Sequence, residues 1–252
     1  MQKNMIDMEL AEHFRKYDTF TREEVFNYYR QYEPNLKKST FTWRLYDLKR
    51  KHLIQEVGEG IYKVEDKQPF KPNIDSFLSK LYETINTAFF DINVSVWSTS
   101  WINNYSRHQT FQNFYIVEIS HELTEHLFNK LKELNYKNVF IKPDEKQIQN
   151  YVIGSDNPII VMNLITKAPT KKVNKIIIPK LEKILVDLYA DKKTFYMYQG
   201  NELKTIYEEA IRKHTVNFTK LFHYARRRGK EEQLRKYLKE NLHNKVETIF
   251  ND

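Results

Sequence analysis

The strongest constraint on the fold comes from residues 39–64, where a helical pattern gives way to the alternation typical of short strands. Phe41, Leu45 and Leu48 recur at the spacing of one helix face and predict an amphipathic helix with a buried stripe. Two short alternating runs then flank Gly58–Gly60, a pattern that predicts a β-hairpin. A helix followed directly by a hairpin restricts this part of the chain to a small set of folds.

Two further helices are predicted upstream, the first from apolar residues at helical spacing near the N-terminus. Thr21 and Glu24 form a capping-box pattern that marks the start of the second helix. Pro34 marks its end, because proline disfavours helical backbone in the residue before it. Ser39 or Thr40 is the predicted N-cap of the third helix.

The order helix, helix, helix, hairpin over residues 1–65 is typical of a winged helix-turn-helix DNA-binding domain, in which the third helix enters the major groove. Its hydroxyl, phenol and cationic side chains suit contacts with phosphates and base edges. The candidate DNA-binding residues are Ser39, Thr40, Thr42, Arg44, Tyr46, Lys49, Arg50 and Lys63. Two other interpretations stay open: a plain helical domain with a solvated basic face, or a winged helix that binds protein. Trp43 either packs under the hairpin or stacks outward.

Residues 66–73 are polar, contain two prolines and are predicted to be an interdomain linker. Residues 74–252 then form a second domain, in which predicted helices alternate with predicted strands before a helical C-terminal part. The predicted strands are 89–96, 114–119, 138–141 and 159–162. The predicted fold class is therefore α+β, an N-terminal winged helix-turn-helix followed by a mixed α/β domain that ends in helices.

The formal net charge of +8 is concentrated near the C-terminus. Residues 212–245 contain 11 basic and 3 acidic side chains, whereas residues 1–65 contain 12 and 11. Within the basic segment Gly229 is the predicted C′ residue of a helix that ends in three arginines. This pattern serves either capping and solubility or docking of a polyanion or an acidic protein. The candidate docking residues are Lys220, Arg226, Arg227, Arg228 and Lys230.

Several chemistries find no support in the sequence. There is no cysteine, which excludes disulfides, thiolate zinc sites and cysteine nucleophiles. There is no glycine-rich phosphate loop and no Gly-x-Ser-x-Gly motif. We therefore assign no catalytic residue, no metal and no cofactor, and do not expect an enzyme. The chain has no apolar run of membrane-helix length and no signal-peptide core, so we expect a cytoplasmic protein without a membrane partner.

One enzymatic alternative stays open. The order of elements in residues 74–141 resembles the core of PD-(D/E)xK nucleases, in which an aspartate and a glutamate hold a divalent cation. Asp91 and Glu118 occupy suitable places, but Ser120 stands where such a site has its lysine. Lys142 is a possible substitute from the next strand. In the other interpretation, Glu118 is a polar residue on a half-buried strand.

Four segments carry a resemblance to a known family. The stretch SxFxWRLYDLKRKxLIxxVGEGIYKV, at residues 39–64, resembles the winged helix of AbiEi-type antitoxins. IPKLEKILVDLYAD at residues 178–191 is similar to the segment of that family with an (L/P)EKxLVDLL-like helix. YQGNEL and the helix ending in YARRR are similar to an uncharacterised bacterial branch of the group.

The resemblance implies a cytoplasmic bacterial antitoxin of a type IV toxin–antitoxin system linked to abortive phage infection. It implies that the winged helix is a transcriptional regulator that binds double-stranded DNA in its own promoter. It further implies that the second domain opposes a nucleotidyltransferase toxin without necessarily forming a stable complex. It implies no catalytic residue.

Overall fold

A computed structural model of the chain describes residues 2–51, 53–64, 69–89, 92–107 and 113–246, with side chains between residues 6 and 242. These residues form a mixed α+β structure with several sheets. They divide into two compact units. The first contains the chain up to Pro69, Ile211–Thr219 and the segment from Leu238 on, and the second contains Phe70–Ala210 and Lys220–Tyr237.

The N-terminal part of the first unit combines three helices with a three-stranded sheet of order β1-β3-β2. Its elements are α1 (Gln2–Phe14), β1 (Phe20–Thr21), α2 (Arg22–Tyr32), α3 (Lys38–Arg50), β2 (Ile54–Gly58) and β3 (Ile61–Val64). The sequence did not predict β1, because two residues are too few to show an alternating pattern. Both strand pairings are antiparallel.

Local hydrogen bonds explain where α2 begins. The Thr21 hydroxyl accepts a hydrogen bond from the Glu24 amide at 3.2 Å, and the Glu24 carboxylate accepts one from the Thr21 amide at 2.6 Å. The predicted capping box is confirmed. The predicted cap of α3 is wrong, since the helix begins at Lys38 after Lys37, whose side chain makes no capping bond. Ser39 and Thr40 instead lie in the first turn of α3.

The hairpin turns at Glu59 and Gly60, as predicted. Gly58 is the register partner of Ile61, which leaves a two-residue loop. Gly60 has φ +68°, a left-handed conformation that glycine adopts without steric cost. Strand β2 lies at the edge of the sheet, and the segment Ile211–Thr219 hydrogen-bonds to it within the first unit. A single core joins the helices to the sheet and includes Phe14, Phe20, Val25, Tyr29, Phe41, Leu45, Leu48, Tyr62 and Val64.

The second unit is built around a four-stranded mixed sheet of order β4-β5-β7-β6. Its elements up to the last strand are α4 (Ser76–Ala88), β4 (Ser95–Ser98), β5 (Tyr115–Ile119), α5 (Thr124–Glu133), β6 (Val139–Ile141), α6 (Glu145–Gln147), β7 (Ile159–Asn163), β8 (Thr170–Val173) and β9 (Ile176–Pro179). Strand β4 is antiparallel to β5, whereas β7 is parallel to both of its neighbours. The carboxyl ends of β5 and β7 therefore lie at the same edge.

Three predicted strands, β5, β6 and β7, are confirmed, but the predicted strand 89–96 is displaced. The strand lies at Ser95–Ser98 instead, where Trp97 is buried. Asp91 and residues 66–68 of the predicted linker lie outside the described residues. The antiparallel β8–β9 pair was not predicted, because Lys171 and Lys172 interrupt its apolar pattern.

The remaining elements are helical, as predicted: α7 (Leu181–Ala190), α8 (Asn201–Lys213), α9 (Phe218–Arg227) and α10 (Glu231–Val246). All residues of α7 from Leu181 to Leu188 are buried. In the part of the chain that the structure describes, no helix combines the length and the apolar character that crossing a membrane requires.

Candidate functional site

Helix α3 presents one exposed stripe directly opposite the side it buries. Ser39, Trp43, Tyr46 and Arg50 are exposed at i, i+4, i+7 and i+11, positions that lie on one line of a helix. The opposite side buries the three apolar residues that predicted the helix. The stripe thus combines a hydroxyl, an indole, a phenol and a guanidinium on one rigid element.

Trp43 resolves the ambiguity of the sequence, because it points outward. It is 74% exposed, and Tyr46 beside it is 56% exposed. Their rings meet edge to face with centroids 6.1 Å apart. Two large exposed aromatics on one helix face are unusual in a surface without a binding partner. Trp43 was not among the candidate contact residues, although its position four residues after Ser39 places it on the same line.

The predicted cations of α3 all have acidic partners within the first unit. The Arg44 guanidinium donates to both carboxylate oxygens of Glu33 at 2.8 Å, and its side chain is only 13% exposed. Lys49 pairs with Glu56 at 3.0 Å, and Arg50 pairs with Asp47 at 2.7 Å. Of the three, only Arg50 has a largely exposed side chain. A phosphate reaches Arg50 more easily than it reaches Arg44.

The other candidate contacts flank the exposed stripe. Thr40 is exposed in the first turn of α3. The Thr42 hydroxyl accepts a hydrogen bond from Arg22 at 2.8 Å and donates to the Lys38 carbonyl at 3.0 Å, so it helps to join α2 to α3. Lys63 is partly exposed on β3, opposite Gln55 of β2. The structure thus places Lys63 on the hairpin that follows α3.

The three consecutive arginines among the candidate docking residues point in three different directions, as neighbouring positions around a helix end do. Arg226 pairs with Glu231, and Arg228 lies 3.6 Å from the Asp187 carboxylate. Arg227 donates to the Thr166 hydroxyl. Lys220 is exposed on α9, and Lys230 follows Gly229, which ends the helix with φ +64° and confirms the predicted C′ position.

A buried charged cluster, which we define as Glu118, Lys183, Asp187, Tyr224 and Arg228, lies inside the second unit. Lys183 on α7 is fully buried and donates to Glu118 on β5 and, at 2.5 Å, to Asp187 one turn further along its own helix. The Tyr224 hydroxyl donates to Asp187 at 2.9 Å. Glu118 Oε2 is buried and has no hydrogen-bond partner among the described residues.

The electrostatics of this cluster follow from two carboxylates sharing a buried ammonium. Burial raises the pKa of Glu118, and the Lys183 charge offsets that effect only in part. Burial lowers the pKa of Lys183, but the charges of Asp187 and Glu118 outweigh burial and leave it above its ordinary value. Lys183 is therefore charged at neutral pH. The sequence held a hint, since Lys183 and Asp187 are an i,i+4 pair in an otherwise largely apolar helix.

The geometry gives the nuclease alternative no added support. Glu118 is occupied by Lys183, while Lys142 follows β6, which is separated from β5 by β7. The described residues contain no group of three or more His, Asp or Glu side chains suited to holding a metal ion. Asp91, the other carboxylate of that alternative, lies outside the described residues.

Comparison with known proteins places the chain in a family without giving an activity. Residues 40–244 match the model described as "Family of unknown function (DUF6577)". Because the match covers most of the chain, the protein belongs to this family. No curated protein matches it. The matched range begins inside α3, contains the whole second unit and ends inside α10.

Proposed function

We propose that the first unit is a winged helix-turn-helix that binds double-stranded DNA through α3. The proposal rests chiefly on the exposed stripe of α3, which presents hydroxyl, aromatic and cationic groups from a helix fixed by its buried opposite side. The element order helix, strand, helix, helix, hairpin supports it, because a winged helix places a recognition helix before a β-ribbon. In this proposal Trp43 and Tyr46 contact bases and sugars, and Arg50 contacts a phosphate or a guanine edge.

A gel-shift assay with the DNA upstream of the protein's own gene tests this proposal. Binding is expected at low salt, where phosphate contacts are strongest. Trp43→Ala is expected to weaken binding about tenfold or more, since one good base contact contributes ~1–3 kcal/mol. Arg50→Ala is expected to weaken binding and to reduce the salt dependence by about one counterion.

Arg15→Ala is the matched control. Arg15 is an exposed arginine of the same unit that pairs with Glu12 at 2.7 Å, as Arg50 pairs with Asp47. Its removal changes the net charge equally, but Arg15 lies in the turn that follows α1, which ends at Phe14, rather than on α3. An equal effect of Arg15→Ala and Arg50→Ala would mean that only overall charge matters, and it would contradict a specific α3 interface.

The exposed Trp43–Tyr46 pair also favours a second candidate function, a winged helix that docks on a protein. Tryptophan and tyrosine are enriched among the residues that dominate protein–protein binding energy. If Trp43→Ala leaves DNA affinity unchanged but abolishes pull-down of a partner encoded beside this gene, the protein-interaction function replaces DNA binding. If both interactions weaken, α3 serves both partners.

The resemblance to AbiEi-type antitoxins extends the proposal to an autorepressor that opposes a nucleotidyltransferase toxin. The segment that carries this resemblance in the second unit includes Lys183 and Asp187 of the buried charged cluster. Co-expression with a nucleotidyltransferase encoded next to this gene tests the extension. The wild-type protein is expected to restore growth, and failure to do so would contradict the antitoxin role without affecting the DNA-binding proposal.

A further inference from the structure

A small cleft of about 200 Å³ opens in the second unit where β5 and β7 end. Ser120 follows β5, Thr166 and Lys167 follow β7, and Thr170 begins β8; all four line the cleft. The carboxyl ends of parallel strands are a common location for ligands in open α/β sheets. The volume is below the ~300–1,000 Å³ of pockets that enclose a whole small molecule, so this cleft suits a single compact group.

Two cations border the cleft without a carboxylate partner. Arg227 reaches it from α9 by donating to the hydroxyl of Thr166. Lys167 is itself a lining residue and is exposed. In the described part of the chain, neither Arg227 nor Lys167 forms an ion pair, whereas the neighbouring Arg226 and Arg228 both do.

The backbone of the same turn adds donors. Lys167 has φ +59° and lies with Thr166 in a turn that the Ala168 N–H closes by donating to the Ile165 carbonyl at 3.2 Å. The amide N–H groups of Thr166 and Lys167 have no hydrogen-bond partner within the described ranges. Short turns of this type form concave sites for anions, because their N–H groups converge on a single oxyanion.

Positive charge continues from the cleft along α9. Lys220 and Arg227 are exposed at i and i+7 on one face of the helix. Burial lowers the pKa of Lys180, and the neighbouring Lys220 charge lowers it further. Like charges that are held close together repel one another, and binding an anion between or beside them relieves that repulsion.

We propose that the cleft binds a phosphate group, with Arg227, Lys167 and the amides of Thr166 and Lys167 as its donors. A guanidinium fork matches two phosphate oxygens, and the lysine adds a point charge. The lining contains no carboxylate, which disfavours a metal ion. The group belongs to a nucleotide or to a phosphorylated nucleic-acid end, since the cations along α9 suit further phosphates. This proposal concerns only the second unit and does not depend on DNA binding by α3.

Isothermal titration calorimetry of the full chain, in low-salt buffer free of phosphate and sulfate, tests the site. The probes are inorganic phosphate, a nucleoside triphosphate, and a short single-stranded oligonucleotide with either a 5′-phosphate or a 5′-hydroxyl. Arg227→Gln and Lys167→Gln are each expected to weaken binding of inorganic phosphate at least tenfold. Lys130→Gln is the matched control, since Lys130 is an exposed cation of the same unit that pairs with Glu133 at 3.1 Å, and it is expected to change affinity less than twofold.

Two results would overturn the proposal: no binding of any phosphate probe by the wild-type chain, or equal losses in Arg227→Gln and Lys130→Gln. Thermal melts of each variant separate loss of the site from loss of folding, and Lys167→Gln provides the test if Arg227→Gln is unstable. Preference for the 5′-phosphorylated oligonucleotide identifies a nucleic-acid end, and preference for the triphosphate identifies a nucleotide. Trp43→Ala is expected to leave phosphate binding unchanged, so failure of the α3 proposal is distinguishable from failure of this one.

Discussion

Replacing Lys183 with methionine is expected to destabilise the second unit by about 3–5 kcal/mol at pH 7, because removing one partner of a buried ion pair leaves an uncompensated charge. Lys183 is fully buried, and both Glu118 and Asp187 are only 4% exposed, so water does not replace the lost ammonium. Methionine keeps much of the length and apolar character of the lysine stem. The expected loss is therefore electrostatic rather than a cavity effect.

The size of this destabilisation follows from the distance between the Lys183 ammonium and the Asp187 carboxylate. At an effective dielectric constant of about 20, the 2.5 Å contact with Asp187 contributes roughly 7 kcal/mol of Coulomb attraction. The desolvation cost of the ammonium, several kcal/mol, offsets much of this. A remainder of about 3–5 kcal/mol is a large share of the ~5–15 kcal/mol that stabilises a typical domain.

The loss is expected to depend on pH. In the wild type, the pKa of Lys183 is raised in the folded state. The stability that charged Lys183 contributes is therefore complete below the ordinary lysine pKa of about 10.4, and it is lost as pH rises through the folded-state pKa. In Lys183→Met the folded state keeps a proton on Glu118 that the unfolded state releases, because burial raises the pKa of Glu118 and the Lys183 charge no longer lowers it. Stability of the variant therefore falls as pH rises from about 4, and acidification from pH 7 to pH 5 restores part of it.

Urea denaturation followed by circular dichroism at pH 5 and pH 7 measures these differences. Lys130→Met is the matched control, since Lys130 forms an exposed ion pair with Glu133 at 3.1 Å and its loss is expected to cost less than about 1 kcal/mol. The triple variant Glu118→Gln, Lys183→Met, Asp187→Asn is expected to be more stable than Lys183→Met alone. A loss of less than 1 kcal/mol in Lys183→Met, or a triple variant that is less stable than Lys183→Met, would refute the electrostatic origin of the effect.

Three further substitutions test local features by the same urea titration. Thr21→Ala removes the capping box with Glu24 and is expected to cost about 1 kcal/mol; an unchanged midpoint would show that the cap is dispensable. Tyr29→Phe removes the 2.6 Å hydrogen bond to buried Asp7 and is expected to cost about 1.5–3 kcal/mol, and a loss below 0.5 kcal/mol would argue against that bond. Gly229→Ala is expected to lower the free energy of unfolding by about 1 kcal/mol, because alanine is strained at φ +64°. An added Cβ meets no atom within 4 Å, so the effect comes from the backbone alone. A gain in stability would contradict the left-handed C′ conformation.

Features that depend on a few neighbouring residues could be predicted from the sequence. The capping box at Thr21, the hairpin turn at Gly60 and the helix end at Gly229 were predicted because each involves residues only a few positions apart. The predicted N-cap of α3 was wrong, because the sequence alone does not show whether Ser39 and Thr40 precede the first turn or lie within it.

The candidate sites were less predictable for a physical reason. Sequence spacing located the exposed face of α3, but the partners of Arg44 and Lys49 lie on α2 and β2, so their neutralisation depends on how these elements pack. Likewise, whether Trp43 packs under the hairpin or points outward depends on how the hairpin lies against α3.

The sequence by itself determined the helical stripes, the short turns and the segment with excess positive charge, because these follow from side chains close together along the chain. Only the tertiary structure decided that Glu118 meets Lys183, 65 positions away, and that Arg227 meets Thr166 at the ends of two strands. A buried charge selects its partner by proximity in space, and that proximity exists only after the sheet and the helices have packed together.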